Sequence, residues 1–93
     1  MMKSRESVDG VATVTGYSIN PMITLVPVSA SGSGSVSVKP DAAGADFSPV
    51  YDEAGDPLAL DLSAQDSRVI QGRFTAVKVT SDTAEDEFIL SVT

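Results

Sequence analysis

The chain has 93 residues, a formal charge of −7, and neither Cys, His nor Trp. Its length allows one domain with a single thin core. Its composition excludes disulfides, thiolate or imidazole metal sites, and any serine nucleophile with a histidine base. The charge is uneven. Residues 1–40 carry Lys3, Arg5 and Lys39 against Glu6 and Asp9, a net of +1; residues 41–93 carry Arg68, Arg73 and Lys78 against eleven carboxylates, a net of −8. An acidic surface repels phosphate backbones, so direct nucleic-acid binding is not expected.

Residues 1–10 are polar and read as an N-terminal arm ahead of a single domain over 11–93. The arm has no apolar run of the kind a secretory signal needs, and no window reaches the ~18–20 apolar residues of a membrane span. Val11–Thr15 alternates with a two-residue period and predicts a strand ended by Gly16. Asn20-Pro21 is a turn signal, and Met22–Ser29 is the next strand. Pro27 cannot donate to a ladder, which places that strand at an edge or a bulge. Ser31–Gly34 is a short turn; Ser35–Lys39 follows with Val36 and Val38 on one face. Phe47–Tyr51 and Leu58–Leu62 are two further strands around the Gly55 turn.

The last quarter reads as two long antiparallel strands, Arg68–Thr80 and Phe88–Thr93, joined by an acidic turn. A bulge near Gly72 would bring Phe74 to the same side as Val77. No window sustains a 3.6-residue apolar period with caps. About seven strands, with turn signals every ~8–12 residues, predict an all-β fold, a small antiparallel β-sandwich or jelly-roll.

Residues that could carry chemistry are few. The Ser31–Gly34 stretch lacks both the Gly-x-Ser-x-Gly spacing and a base, and it lacks the Lys of a phosphate loop. Two acidic turns could offer oxygens to calcium: Asp52, Glu53 and Asp56, and Asp82, Glu85, Asp86 and Glu87. Their spacing fits no EF-hand, and solvated turn carboxylates are the simpler reading. The three phenylalanines are wanted for the core, leaving Tyr17 and Tyr51 as free aromatics. No catalytic, cofactor or metal residues are assigned, and the protein is expected not to be an enzyme. What remains is surface. The Pro27 strand and Phe88–Thr93 are the edges expected to receive another chain.

Gly34-Ser35-Val36-Ser37-Val38, Phe47-Ser48-Pro49-Val50-Tyr51-Asp52, Gly55-Asp56-Pro57-Leu58, Val69-Ile70-Gln71-Gly72 and Phe74–Thr80 form a layout over residues 30–93. It resembles that of small all-β virion proteins of tailed bacteriophages. The resemblance implies a head decoration (cement) protein, often trimeric over capsid threefold positions. Its partners would then be the major capsid protein and copies of itself, and its location the virion after synthesis in the host cytoplasm. In that role residues 1–10 would help attachment, and their removal would leave the fold intact. A fibre or tail accessory module, or a carbohydrate- or receptor-binding sandwich, is the alternative expectation; the latter would have to use Tyr17 and Tyr51.

Overall fold

The computed structural model describes residues 3–93, and the backbone is all-β. Nine strands run in chain order: β1 Lys3–Glu6, β2 Val11–Ile19, β3 Met22–Ser29, β4 Ser33–Pro40, β5 Ser48–Pro49, β6 Ala59–Asp61, β7 Asp66–Val69, β8 Arg73–Ser81 and β9 Glu87–Val92. The pairings are nested about the 41–58 segment. Strand β4 pairs with β5 and β6, β3 with β7, β2 with β8, and β1 with β9, all antiparallel. This is one long folded-over ribbon. Curling it places β3 beside β9 and β4 beside β8. Two sheets result, β1-β9-β3-β7 and β2-β8-β4-β5, with β6 also on β4. That nested wrap is a jelly roll.

Alternation dictates which side chains meet between the sheets. In the first sheet Ile23 lies opposite Val92, and Leu25 opposite Leu90. In the second, Val14, Val77 and Val38 form one inward row, and Ala12, Val79 and Val36 the next. Leu60, Leu62, Ile70, Phe74 and Phe88 complete the buried cluster. Extents of 35 × 30 × 21 Å fit two stacked sheets with their outer side chains.

Several expectations are corrected. Arg68–Thr80 is not one strand: it breaks at Ile70–Gly72 and crosses from one sheet to the other, so β7 and β8 belong to different sheets. Nor do β8 and β9 form a hairpin, because β9 pairs with β1 and β3. Phe74 is inward as expected, but the pairing irregularity falls between Lys39 and Pro40 opposite Thr75, not at Gly72. Residues 3–6, set apart as part of an arm, are strand β1 of the sandwich; Met1 and Met2 lie outside the described residues.

The turn after β1 is built by Asp9 and Gly10, with φ of 53° and 77°. Val8 and Val11 exchange both backbone hydrogen bonds across it, at 2.8 and 3.1 Å. Two residues at positive φ between a bonded pair are the tight turn that Asp-Gly favours. A side chain at Gly10 would also meet the Thr83 carbonyl at 2.7 Å, so this turn is fitted against the β8–β9 connection.

Candidate interaction surface

The acidic turns are structural. Asp86 is buried, and its carboxylate ties three segments together. Oδ1 accepts from the Ser31 amide (3.2 Å), and Oδ2 accepts from the Gly32 amide (3.1 Å) and the Ser81 hydroxyl (2.7 Å). The Ser81 hydrogen bond, aided by the two amides and opposed by desolvation, holds its carboxyl below the ordinary aspartate value. The Ser31–Gly34 turn is therefore the loop that Asp86 clamps. Asp52 Oδ1 accepts from the amides of Ala54 (2.9 Å) and Asp56 (3.0 Å) and closes its own turn. Among the described residues, no three carboxylates converge in a way that could hold a metal ion.

The strand edges are blunted. The Phe88–Thr93 stretch is an interior strand, not an edge. Strand β3 is interior along Met22–Leu25, where β7 pairs with it, and has a free side only beyond, along Val26–Ser29. Pro27 sits in that stretch, where its missing N–H is tolerated. The true edges are short or charged: β1 with Lys3, Arg5 and Glu6, β7 with Asp66 and Arg68, and β5 with Pro49. Strand β2 is long, but it is bulged between Thr15 and Ser18, and the Lys3 ammonium donates to the Thr15 carbonyl at 2.8 Å. These are the devices that discourage strand addition. The surface left open is that of the faces and loop ends.

Those surfaces differ between the two ends. At one end of the barrel-like wrap lie the β1–β2, β3–β4, β6–β7 and β8–β9 connections. They touch one another: Ser81 N donates to Gly10 O (2.7 Å), Leu62 N to Gly32 O (3.0 Å) and Asp82 N to Ser33 O (2.9 Å). Glu6, Asp9, Asp61, Asp82, Glu85, Asp86 and Glu87 belong to this end, and segments 6–10, 30–33, 61–65 and 81–87 contain no Lys or Arg. At the other end, Asn20 clips the β2–β3 turn to the β7–β8 turn. Its amide donates to Gly72 O (2.7 Å), and its Oδ1 accepts from Gly72 N (2.8 Å). Tyr17, Ile19, Met22 and Val69 project here, 42–63% exposed, with Lys3 and Arg73 beside them. Val8 and Val28 are the exposed valines toward the acidic end.

The outer face of the first sheet continues from the apolar end. Met22 lies opposite Val69. The next row is all hydroxyl: Ser4, Ser91, Thr24 and Ser67, with Ser4–Ser91 oxygens 2.9 Å apart and Thr24–Ser67 oxygens 3.1 Å apart. Ile89 and Val26 form the row after it. Among the described residues no lysine or arginine projects from this face, and Glu6 projects from it opposite Ile89. The outer face of the second sheet differs. Phe47, expected in the core, lies on it with the ammoniums of Lys39 and Lys78 at 5.0 and 4.4 Å from the ring centre. Tyr51 is exposed beside β7, on the flank of the wrap.

None of this surface is readable from strand periodicity, because residues 17–22 and 69–73 meet only through the wrap. The family-model, curated-protein and solved-structure comparisons each return no match to this chain.

Proposed function

We propose that the protein is a non-enzymatic virion structural protein of a tailed bacteriophage, a head decoration (cement) protein that binds the major capsid protein. The observation that carries the reading is a cluster of exposed apolar residues, Tyr17, Ile19, Met22 and Val69, at the end of a blunt-edged jelly roll opposite seven of its thirteen carboxylates. A subunit of this kind docks by one end and presents the other to solvent. Tyr17, Ile19, Met22 and Val69, continued by the hydroxyl row of the first sheet's outer face, form the docking surface. The acidic end, with six carboxylates besides the buried Asp86, faces outward and keeps neighbouring particles apart by like charge. Copies associate as trimers, as the resemblance to decoration proteins implies, and many weak contacts across capsomer junctions add up through multivalency. The jelly-roll wrap supports the reading, since capsid domains are among the folds that use it.

The test is co-sedimentation with undecorated capsids of the encoding phage, together with light scattering for the oligomeric state. Wild type is expected to pellet with capsids as a trimer. Ile19→Lys with Met22→Lys is expected to abolish pelleting with an unchanged circular-dichroism spectrum, while Asp82→Lys with Glu85→Lys is expected to pellet normally. A chain that stays monomeric and remains in the supernatant overturns the reading.

A further inference from the structure

The flank between the 50–58 hairpin and β7 holds an open groove of about 540 Å³. Val50, Leu58 and Ile70 form its apolar floor. Around them stand Tyr51, Asp52, Glu53, Arg68 and Gln71. Tyr51 is 58% exposed although it adjoins that floor. The polar groups keep hydrogen-bonding capacity. Asp52 uses Oδ1 for its own turn, which leaves Oδ2, and Arg68 approaches Asp66 through Nε alone, at 3.6 Å. An apolar floor ringed by a few convergent polar groups is the general form of a small-ligand site. The pocket between Lys3, Gly16 and Phe74 is smaller, about 150 Å³, and the Lys3 ammonium that lines it is engaged with the Thr15 carbonyl.

We propose that this groove binds a neutral saccharide, with a pyranose ring stacked on Tyr51 and its hydroxyls held by Asp52, Glu53, Arg68 and Gln71. The axial C–H bonds of a pyranose carry slight positive charge and suit the negative face of a phenol ring. Carboxylates accept from hydroxyls, while a guanidinium and an amide donate to them. Two carboxylates beside one cation, on a chain of charge −7, turn away an anionic ligand. A peptide strand added to β7 is disfavoured because that edge is four residues long and carries Asp66 and Arg68. The groove shares Val69, Ile70 and Gln71 with the segment at the docking end, but Tyr51, Asp52, Glu53 and Arg68 lie outside it, so variants at Tyr51 and Arg68 separate sugar binding from capsid binding.

The test is an amide-resolved NMR titration with chitotetraose, maltotetraose and lactose, each to about 10 mM, a range that detects millimolar affinity. At least one sugar is expected to shift the amides of 50–53 and 68–71 saturably. Tyr51→Ala is expected to weaken that binding about tenfold or more, and Arg68→Ala to weaken it less. Both variants should keep the remaining spectrum, and both should pellet with capsids as wild type does. No saturable shift with any of the three sugars overturns the proposal. So does binding that survives Tyr51→Ala, or saturable shifts from a valine–threonine octapeptide confined to β7.

Discussion

Asp86 is the residue on which the acidic end is assembled. Its carboxylate accepts from Ser81, Ser31 and Gly32, and thereby joins the β3–β4 turn to the end of β8. A folded-state pKa held down in this way makes a stabilising contribution that is complete above the unfolded value of about 3.9 and is lost as pH falls through the lower native value. Asp86→Asn removes the charge and turns an N–H₂ toward a donor. It is expected to lower the melting temperature at pH 7 and to flatten the fall in melting temperature below about pH 4; parallel wild-type and variant curves through that range would show that the carboxylate is not the titrating anchor. Phe47 is the second instructive side chain. With two ammoniums over its ring on an outer face, it contributes as a ring rather than as core. Phe47→Leu keeps the apolar bulk and loses the quadrupole, so a loss of about 0.5–1 kcal/mol is expected in thermal unfolding. The same loss in a Lys39→Met, Lys78→Met background would place the effect in packing.

At the scale of the strand, the inward positions are legible before any coordinates. Alternation over Val36–Val38, Leu58–Leu62 and Phe88–Val92 names residues that are buried or half-buried, and Asn20-Pro21 and Gly55 mark real breaks, whereas Gly16, expected to end a strand, lies within β2 at its bulge. Sheet membership is not legible, because a two-residue period says which face is apolar but not which strand lies alongside. That is why Arg68–Thr80 and Phe88–Thr93 read as a hairpin, although the chain changes sheets at Ile70–Gly72 and again after β8. Strand β1 was hidden by its polarity; the Asp9-Gly10 pair behind it was the available signal. Its pairing with β9 revises the expectation that residues 1–10 could be removed harmlessly. Deleting residues 1–6 bares one side of β9 and removes the Ser4–Ser91 contact. A lower melting temperature and concentration-dependent association are expected, by circular dichroism and sedimentation velocity; an unchanged melting curve would mean that β1 adds nothing to the sandwich. Phe88, 1% exposed on the same strand, is expected to cost ~3–5 kcal/mol on truncation to Ala in denaturant unfolding. A change below about 1 kcal/mol would indicate that the site is loosely packed.

For the whole molecule, the separation of an apolar end from an acidic end makes solution behaviour a readout of the docking surface. The charge of −7 at pH 7 repels copies from one another, and the isoelectric point of about 4.1 marks where that repulsion vanishes. Hydrogen bonds hold the Asp86 carboxyl below the ordinary aspartate value, and so the acidic end keeps its anchor as the net charge falls to zero. Folded molecules with an uncovered apolar end and no net charge should associate through that end. At pH ~4 and ~0.15 M salt, where the screening length is only ~8 Å and attraction is short-ranged, wild type is expected to form larger species than at pH 7, with its β spectrum retained. Ile19→Thr with Met22→Thr leaves the charge unaltered and keeps strand-compatible residues, yet removes apolar area where the contact would form; this variant is expected to show the same species at both pH values by sedimentation velocity. Equal association of variant and wild type at pH ~4 would move the adhesive surface away from the Tyr17–Ile19–Met22–Val69 end. Loss of the β spectrum before association would assign the behaviour to acid unfolding.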